Sequence, residues 1–99
     1  MRLTDEQVVI IKQAAHEVFG DDVSVKLFGS RLNDSARGGD IDLLVESTAS
    51  IEDKMHKMLT LTARLQLRLG DQPIDILVVD PTTSLNPVYR HAMKTAQVL

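Results

Sequence analysis

The chain has 99 residues, 43% hydrophobic and 25% charged, a composition typical of a single globular domain spanning residues 1–99 rather than of a disordered or membrane-spanning chain. Its net charge of -3 argues against nonspecific nucleic-acid binding, because surfaces that bind the phosphate backbone are strongly basic. The lack of cysteine excludes disulfides and thiol-based sites, and a polar N-terminus without an apolar segment predicts a cytoplasmic protein that does not bind membranes.

The first predicted element is a helix that begins after Thr4. Thr4 and Gln7 have the spacing of a capping box, in which each side chain accepts a hydrogen bond from the backbone of the other residue. Glycine favours the C-terminal stop of a helix, so we expect this helix to end at Gly20. Its apolar residues recur at helical spacing. They are Val8, Ile11, Ala15, Val18 and Phe19.

Two strands joined by a loop are predicted next. Residues 23–28 and 40–46 alternate between apolar and more polar side chains, which is the pattern of half-buried strands. The stretch from Gly29 to Gly39 is rich in glycine and in residues that favour turns, so we expect a loop there. The apolar faces are formed by Val23, Val25 and Leu27 in the first strand and by Ile41, Leu43 and Val45 in the second.

The second half of the chain predicts a helix, a third strand and a last helix. Ser50 and Asp53 have the spacing to cap the helix, and Pro73 opens the strand. Asn86 before Pro87 predicts the N-cap and first position of a last helix of about ten residues. The apolar stripe of the second helix is Ile51, Met55, Met58, Thr62, Leu65 and Leu69, and the third strand offers Ile74, Ile76 and Val78.

These elements predict an α/β protein of the two-layer α+β kind. Each strand presents one uniformly aliphatic face, and two amphipathic helices can cover the face that these strands form together. We therefore expect the order αβαβα with a C-terminal helix, and a small mixed sheet covered by helices on one face.

Three aspartates are expected to emerge together on the opposite face of this sheet. Asp40 and Asp42 lie two residues apart on the second strand, and Asp75 has the matching parity on the third. Asp71 and Asp80 are alternatives to Asp75, although both fall at strand ends. Crowded carboxylates recruit divalent cations, and oxygen ligands favour Mg²⁺ or Mn²⁺ over zinc. We therefore predict a Mg²⁺ site at Asp40, Asp42 and Asp75.

A phosphate-binding turn is predicted beside the aspartates, at the end of the first strand. Gly29 lets the backbone approach a ligand closely, and Ser30 offers a hydroxyl and an amide to phosphate oxygens. Arg31 follows directly, and Lys26 shares the open face of the sheet. Either cation could neutralise the charge of a triphosphate.

The run Leu27-Phe28-Gly29-Ser30-Arg31, followed after the loop by Asp40-Ile41-Asp42-Leu43, resembles the signature of the DNA polymerase β nucleotidyltransferase superfamily. The resemblance implies the nucleotidyltransferase fold and transfer of a nucleotide, AMP from ATP in our interpretation, to an acceptor hydroxyl. In that family three carboxylates hold two Mg²⁺ ions, a serine binds the phosphates of the NTP, and the third carboxylate helps to activate the attacking hydroxyl. The resemblance assigns catalytic and metal roles to Asp40, Asp42 and Asp75, and nucleotide binding to Gly29, Ser30 and Arg31.

The small size makes the chain most similar to the minimal nucleotidyltransferases of that superfamily. These proteins often partner a small all-helical HEPN protein, as antitoxin to toxin, so the resemblance implies such a partner and a protein hydroxyl as acceptor. Two alternatives stay open: a noncatalytic module that neutralises the HEPN partner, and an adenylyltransferase that acts on a small molecule. A homo-oligomer is also left open. We expect the acceptor to be recognised outside this chain.

Overall fold

A computed structural model describes residues 3–32 and 40–99, and it describes Ser30 and Leu32 by their backbone alone. The elements in chain order are α1 (Asp5–Phe19), β1 (Val23–Phe28), a 3₁₀ turn (Gly29–Leu32), β2 (Ile41–Ser47), α2 (Lys54–Leu69), β3 (Ile74–Val79), α3 (Pro87–Thr95) and β4 (Gln97–Val98). The two consecutive strands predicted before α2 are present as β1 and β2, although the order αβαβα with a C-terminal helix counts them as one. That order also lacks β4, which follows the last helix. Residues 33–39 of the predicted loop lie outside the described residues.

The ends of α1 and α3 follow from short-range hydrogen bonds that the sequence predicted. The Gln7 amide donates to the Thr4 side chain at 3.1 Å and the Thr4 amide to the Gln7 side chain at 2.9 Å, which completes the capping box. Gly20 ends α1 with a φ of 90°. The Asn86 side chain accepts from the Tyr89 amide at 3.0 Å and caps α3. No helix among the described residues is long and apolar enough to cross a bilayer.

The start of α2 differs from its prediction. The helix begins at Lys54, and its N-cap Asp53 adopts a left-handed conformation with a φ of 53° and makes no side-chain capping bond. The predicted cap from Ser50 and Asp53 is therefore wrong. Met55, predicted in the buried stripe, is 66% exposed, whereas Leu61, absent from that stripe, is fully buried.

The four strands form one mixed sheet in the order β3-β2-β1-β4. β1 is antiparallel to both β2 and β4, and β2 is parallel to β3. The mixed sheet was predicted, but β4 was not, because two residues are too few to show alternation. The Leu99 amide donates to the Val25 carbonyl at 3.1 Å beyond this short strand.

The main core lies between the sheet and the pair of helices α1 and α2. The three predicted aliphatic faces are all buried there, which confirms their assignment. Helix residues complete the core by packing on this face. They are Ile11, Ala14, Ala15, Leu61 and Leu65.

The opposite face of the sheet is covered in part. Leu44 is fully buried and Val79 is 8% exposed, yet alternation places both away from the α1–α2 core. The chain must pass from the β3 edge to the β4 edge across this face, since α1 and α2 occupy the other one. Ala92 of α3 is also buried outside the main core, which fits that path. The expectation of helices on one face therefore holds for α1 and α2, and α3 lies on the other side.

Candidate functional site

The starts of β2 and β3 and the end of β1 meet at one end of the sheet. Asp42 and Asp75 are partners in register, because β2 and β3 run parallel. Phe28 pairs with Asp42 from the antiparallel β1, and the turn at Gly29 follows directly. Asp40 precedes β2 at the same end. The fold therefore gathers the predicted turn and the three predicted aspartates in one region.

Gly29 and the side chain of Asp42 lie close together in this region. Gly29 has a φ of 79°, a conformation that residues with a side chain rarely adopt. A β-carbon added there would overlap the Oδ2 and Cγ atoms of Asp42. Glycine is thus required twice at this position, by the backbone conformation and by the carboxylate that lies against it.

The Asp42 carboxylate is also repelled by the negative charges of Asp75 and Asp40. Asp42 is half-buried, and burial raises the pKa of its carboxyl above the ordinary value of 3.8. The negative charges of Asp75 and Asp40 raise this pKa further, as does a side-chain hydrogen bond with Asp75. Both neighbouring aspartates are exposed. A cation held between these side chains would relieve the repulsion and favour the ionised form of Asp42.

The three aspartates have the oxygen donors that suit Mg²⁺, but their arrangement does not form a complete metal site. Carboxylate oxygens are the donors that Mg²⁺ prefers, and Asp42 and Asp75 share a hydrogen bond. Asp40 acts on Asp42 through its charge. However, within residues 3–32 and 40–99 no group of three or more Asp, Glu, His or Cys side chains could hold a metal ion. The three-carboxylate site for Mg²⁺ or Mn²⁺ stays a prediction.

Arg31 is held at this end of the sheet by the connection between α2 and β3. Its Nη2 donates to the Gln72 side-chain oxygen at 3.3 Å, and the Gln72 amide nitrogen donates to the Leu69 carbonyl at 2.9 Å. Arg31 is half-buried, so its guanidinium position is tied to the fold. The side chain of Ser30 lies outside the described part of the structure. Phosphate binding by both residues stays a prediction.

Lys26 has a partner away from the aspartates. Its ammonium lies 2.8 Å from a carboxylate oxygen of Glu46. Lys26 is paired in register with Leu44, two residues further along β2 than Asp42. The charge of Lys26 is therefore neutralised by Glu46 in the middle of the sheet. Of the two predicted cations, Arg31 is the better placed to bind a phosphate beside the aspartates.

The two alternatives to Asp75 occupy different environments. Asp71 is exposed in the connection that precedes β3. Asp80 is only 5% exposed, and its carboxylate accepts hydrogen bonds from the Ile51 amide at 2.8 Å and from the Lys54 ammonium at 3.0 Å. The second of these contacts is also an ion pair. Asp80 is therefore engaged in joining β3 to the start of α2, while Asp75 is in register with Asp42.

The structural role of Asp80 was not predicted, although the sequence contains a signal for it. Thr82 and Thr83 follow at the spacing at which an aspartate binds its own backbone and nearby hydroxyls. The Thr82 amide and hydroxyl donate to the Asp80 carboxylate at 3.0 and 2.7 Å. These bonds hold the pKa of Asp80 well below its ordinary value, together with those from Ile51 and Lys54. The long-range partners could not be read from spacing.

A large open cleft lies elsewhere on the molecule. It has a volume of about 510 Å³ and is lined by residues of α2, the end of β3 and the connection to α3, among them Met55, Val78 and Tyr89. Val78 lies near the end of β3, whereas Asp75 lies near the start of that strand. The cleft is therefore separate from the aspartate region.

Comparison with known proteins leaves the family of this chain open. No protein-family model matches it, and no curated protein sequence does either.

Proposed function

We propose that this protein transfers a nucleotide from ATP to an acceptor hydroxyl at the end of the sheet where Gly29, Asp42 and Asp75 meet. The observation that carries the proposal is the contact of the Asp42 carboxylate with the glycine turn, in register with Asp75. A turn without a side chain beside acidic residues suits a polyphosphate that reaches the carboxylates through cations. The signature around this turn and the strand parity point to the same chemistry.

Each residue has a distinct role in this reaction. The Gly29-Ser30 turn would bind the phosphates, and Arg31 would offset part of their charge. Asp75 would accept the proton of the acceptor hydroxyl. The oxygen of that hydroxyl then bonds to the α-phosphorus, while the bond from this phosphorus to the oxygen that bridges to the β-phosphate breaks. Pyrophosphate leaves, and the acceptor carries the nucleotide.

Asp40, Asp42 and Asp75 would hold Mg²⁺. When bound, the ion supplies positive charge next to phosphate oxygens and to the attacking and leaving oxygens. The raised pKa of Asp42 supports this assignment, because burial and two neighbouring carboxylates make its ionised form unfavourable without a counter-charge. Protein hydroxyls are the acceptor we propose first. The HEPN partner and the antitoxin role stay predictions of the resemblance.

The experiment is transfer from ATP labelled on its α-phosphate. The protein is incubated with Mg²⁺, labelled ATP and a protein extract, and labelled products are identified by gel and mass spectrometry. We expect label on a protein acceptor with the wild type. Asp75→Asn should lower the transfer at least a hundredfold, because it removes both a metal ligand and the proton acceptor.

Asp71→Asn is the matched control, since it removes an exposed carboxylate only four residues from Asp75. It should leave transfer unchanged. Equal losses in Asp71→Asn and Asp75→Asn would contradict the assignment of Asp75. Absence of both ATP binding and transfer would contradict the proposed function, whereas label on a small molecule alone would favour the small-molecule adenylyltransferase.

A further inference from the structure

The outward face of α2 exposes a row of apolar side chains and carries no Asp, Glu, Lys or Arg, and its polar residues include His56 and Gln66. Met55, Leu59 and Leu67 are 66%, 59% and 87% exposed, and Ala63 lies between them at helical spacing. We call these four residues the α2 stripe. A surface helix ordinarily places charged residues on the side opposite its core. The stripe runs for about 18 Å along the helix, so it is a continuous feature rather than a single exposed side chain.

Two open clefts lie at the ends of the α2 stripe. Met55 borders the cleft of about 510 Å³ described above. Ala63 and Leu67 border a second cleft of about 500 Å³, together with Gln66 and Asp71. Side chains from an elongated partner could enter both clefts while its apolar face covers the stripe.

Three of the four charged residues of α2 lie on one flank of the stripe, and all of them are basic. Lys57, Arg64 and Arg68 lie within about 100° of Leu67 around the helix axis, and α2 contains no acidic residue. Glu17 of α1 accepts from Arg64 at 3.0 Å and from Arg68 at 2.7 Å. A single carboxylate is paired with two guanidinium groups, so this basic flank keeps an excess of positive charge. On the other flank, Lys54 at the start of the helix is paired with Asp80, and Met58 and Thr62 carry no charge.

This arrangement argues against two other occupants. A second copy packed antiparallel on the stripe, as helix dipoles favour, would bring both basic flanks to the same side of the interface. A bilayer surface attracts helices with basic residues flanking the apolar face and with aromatic side chains. Here three of the four basic residues lie on one flank, the fourth is paired with Asp80, and α2 has no aromatic residue other than a histidine.

We propose that the α2 stripe is a docking surface for an amphipathic helix of another protein, whose acidic residues lie along the flank that meets Lys57, Arg64 and Arg68. Apolar side chains of that helix would cover Leu59 and Leu67, as in other helix-in-groove complexes. Complementary charge would fix its orientation. This surface does not depend on nucleotide transfer, because the aspartate region lies on the other side of the sheet.

The test is a selection from a displayed library of amphipathic helices with randomised flanks, carried out on the full chain. We expect selected helices to be enriched in Glu and Asp on one flank. Leu59→Gln/Leu67→Gln should weaken their binding at least tenfold and leave the thermal midpoint nearly unchanged, since both side chains are already exposed. Lys57→Glu should reduce the acidic enrichment.

Val9→Gln is the matched control, because Val9 is 61% exposed but lies on α1. It should leave binding unchanged. The proposal is overturned if no helix is selected, if selected helices show no acidic enrichment, or if the α2 variant binds as well as the wild type. Sedimentation velocity and flotation with phosphatidylserine vesicles complete the test. Self-association or vesicle binding that the α2 variant abolishes would assign the stripe to a second copy or to a membrane instead.

Discussion

At the scale of single residues, the contact between Gly29 and Asp42 restricts position 29 of the candidate site to glycine. A glycine with positive φ is common in turns, and at Gly29 a carboxylate oxygen also lies where a β-carbon would be. The contrast within the chain is direct: a β-carbon on Gly20, whose φ is 90°, would meet nothing within 4 Å. Gly20 is required for conformation alone, whereas Gly29 is required for conformation and for space.

Gly29→Ala should therefore destabilise the fold by about 2–4 kcal/mol, of which about 1–2 kcal/mol is backbone strain and the rest crowding against Asp42. Most of the crowding should disappear in an Asp42→Ala background, where the β-carbon of residue 42 remains 3.3 Å from the added atom. We expect Gly29→Ala to cost about 1–3 kcal/mol less there, as measured by urea unfolding in a double-mutant cycle without metal. Gly20→Ala should show no such coupling to Asp42→Ala. Additive effects at Gly29 would mean that the two residues do not touch.

Ser30 is the second residue whose substitution separates the proposed site from a plain turn. Ser30→Ala removes the hydroxyl that we assign to the phosphates, and a hydrogen bond to a charged group contributes about 1.5–3 kcal/mol. Nucleotide affinity should therefore fall about tenfold to a hundredfold in an equilibrium titration with Mg²⁺ and labelled ATP. Ser24→Ala, an exposed change near the other end of β1, should have no effect. Similar losses of affinity in both variants would mean that the phosphates do not bind at Ser30.

At the scale of elements, the start of α2 depends on a residue from another strand. The predicted cap failed because Asp53 takes a left-handed backbone and makes no capping bond, while Asp80 binds the Ile51 amide and the Lys54 ammonium from the end of β3. The capping box of α1 and the Asn86 cap of α3 were predictable, because donor and acceptor are three residues apart in each. The Asp80 contacts join residues 26 and 29 positions apart, a separation that no local pattern reveals.

Asp80 also makes the stability of the fold depend on pH. Its pKa in the folded state lies well below the ordinary value of 3.8. The carboxylate therefore stabilises the fold above the unfolded pKa, and this contribution is lost as pH falls below about 4. Asp80→Asn should lower the urea midpoint clearly at neutral pH, because buried donors lose a charged acceptor, and the gap to wild type should narrow toward about pH 2. Asp71→Asn should stay close to wild type throughout. A gap that is constant with pH would exclude this role for Asp80.

At the scale of the whole molecule, the alternation of side chains along the strands correctly predicted which residues share a face of the sheet. The alternation placed Asp42 and Asp75 on one face, and the parallel register of β2 and β3 makes them partners. Parity did not reveal that α3 covers part of this face, because the burial of Leu44 and Val79 depends on the chain path to β4. Nor did the apolar spacing in α2 identify its core side. Met55 and Leu61 both fit a helical stripe, and only packing against the sheet distinguishes them.

The repulsion at Asp42 leads to a prediction about the folded protein as a whole. An ion that binds only the folded state stabilises it by mass action, about 2.7 kcal/mol at a hundredfold excess over Kd. For a domain of this size, that excess of Mg²⁺ or Mn²⁺ should raise the thermal midpoint by about 10–20 °C, measured by calorimetry at constant ionic strength. Asp40→Asn/Asp42→Asn should abolish the shift. Without metal, the Asp40→Asn/Asp42→Asn variant should be no less stable than the wild type, because the substitutions remove the mutual repulsion that raises the pKa of Asp42.

The matched control is Asp21→Asn/Asp22→Asn, which removes two exposed adjacent carboxylates at the α1–β1 turn and should keep the full shift of the thermal midpoint. Equal shifts in all three proteins would show that the cation acts on surface charge in general, and the aspartates at the end of the sheet would then have no special affinity for it.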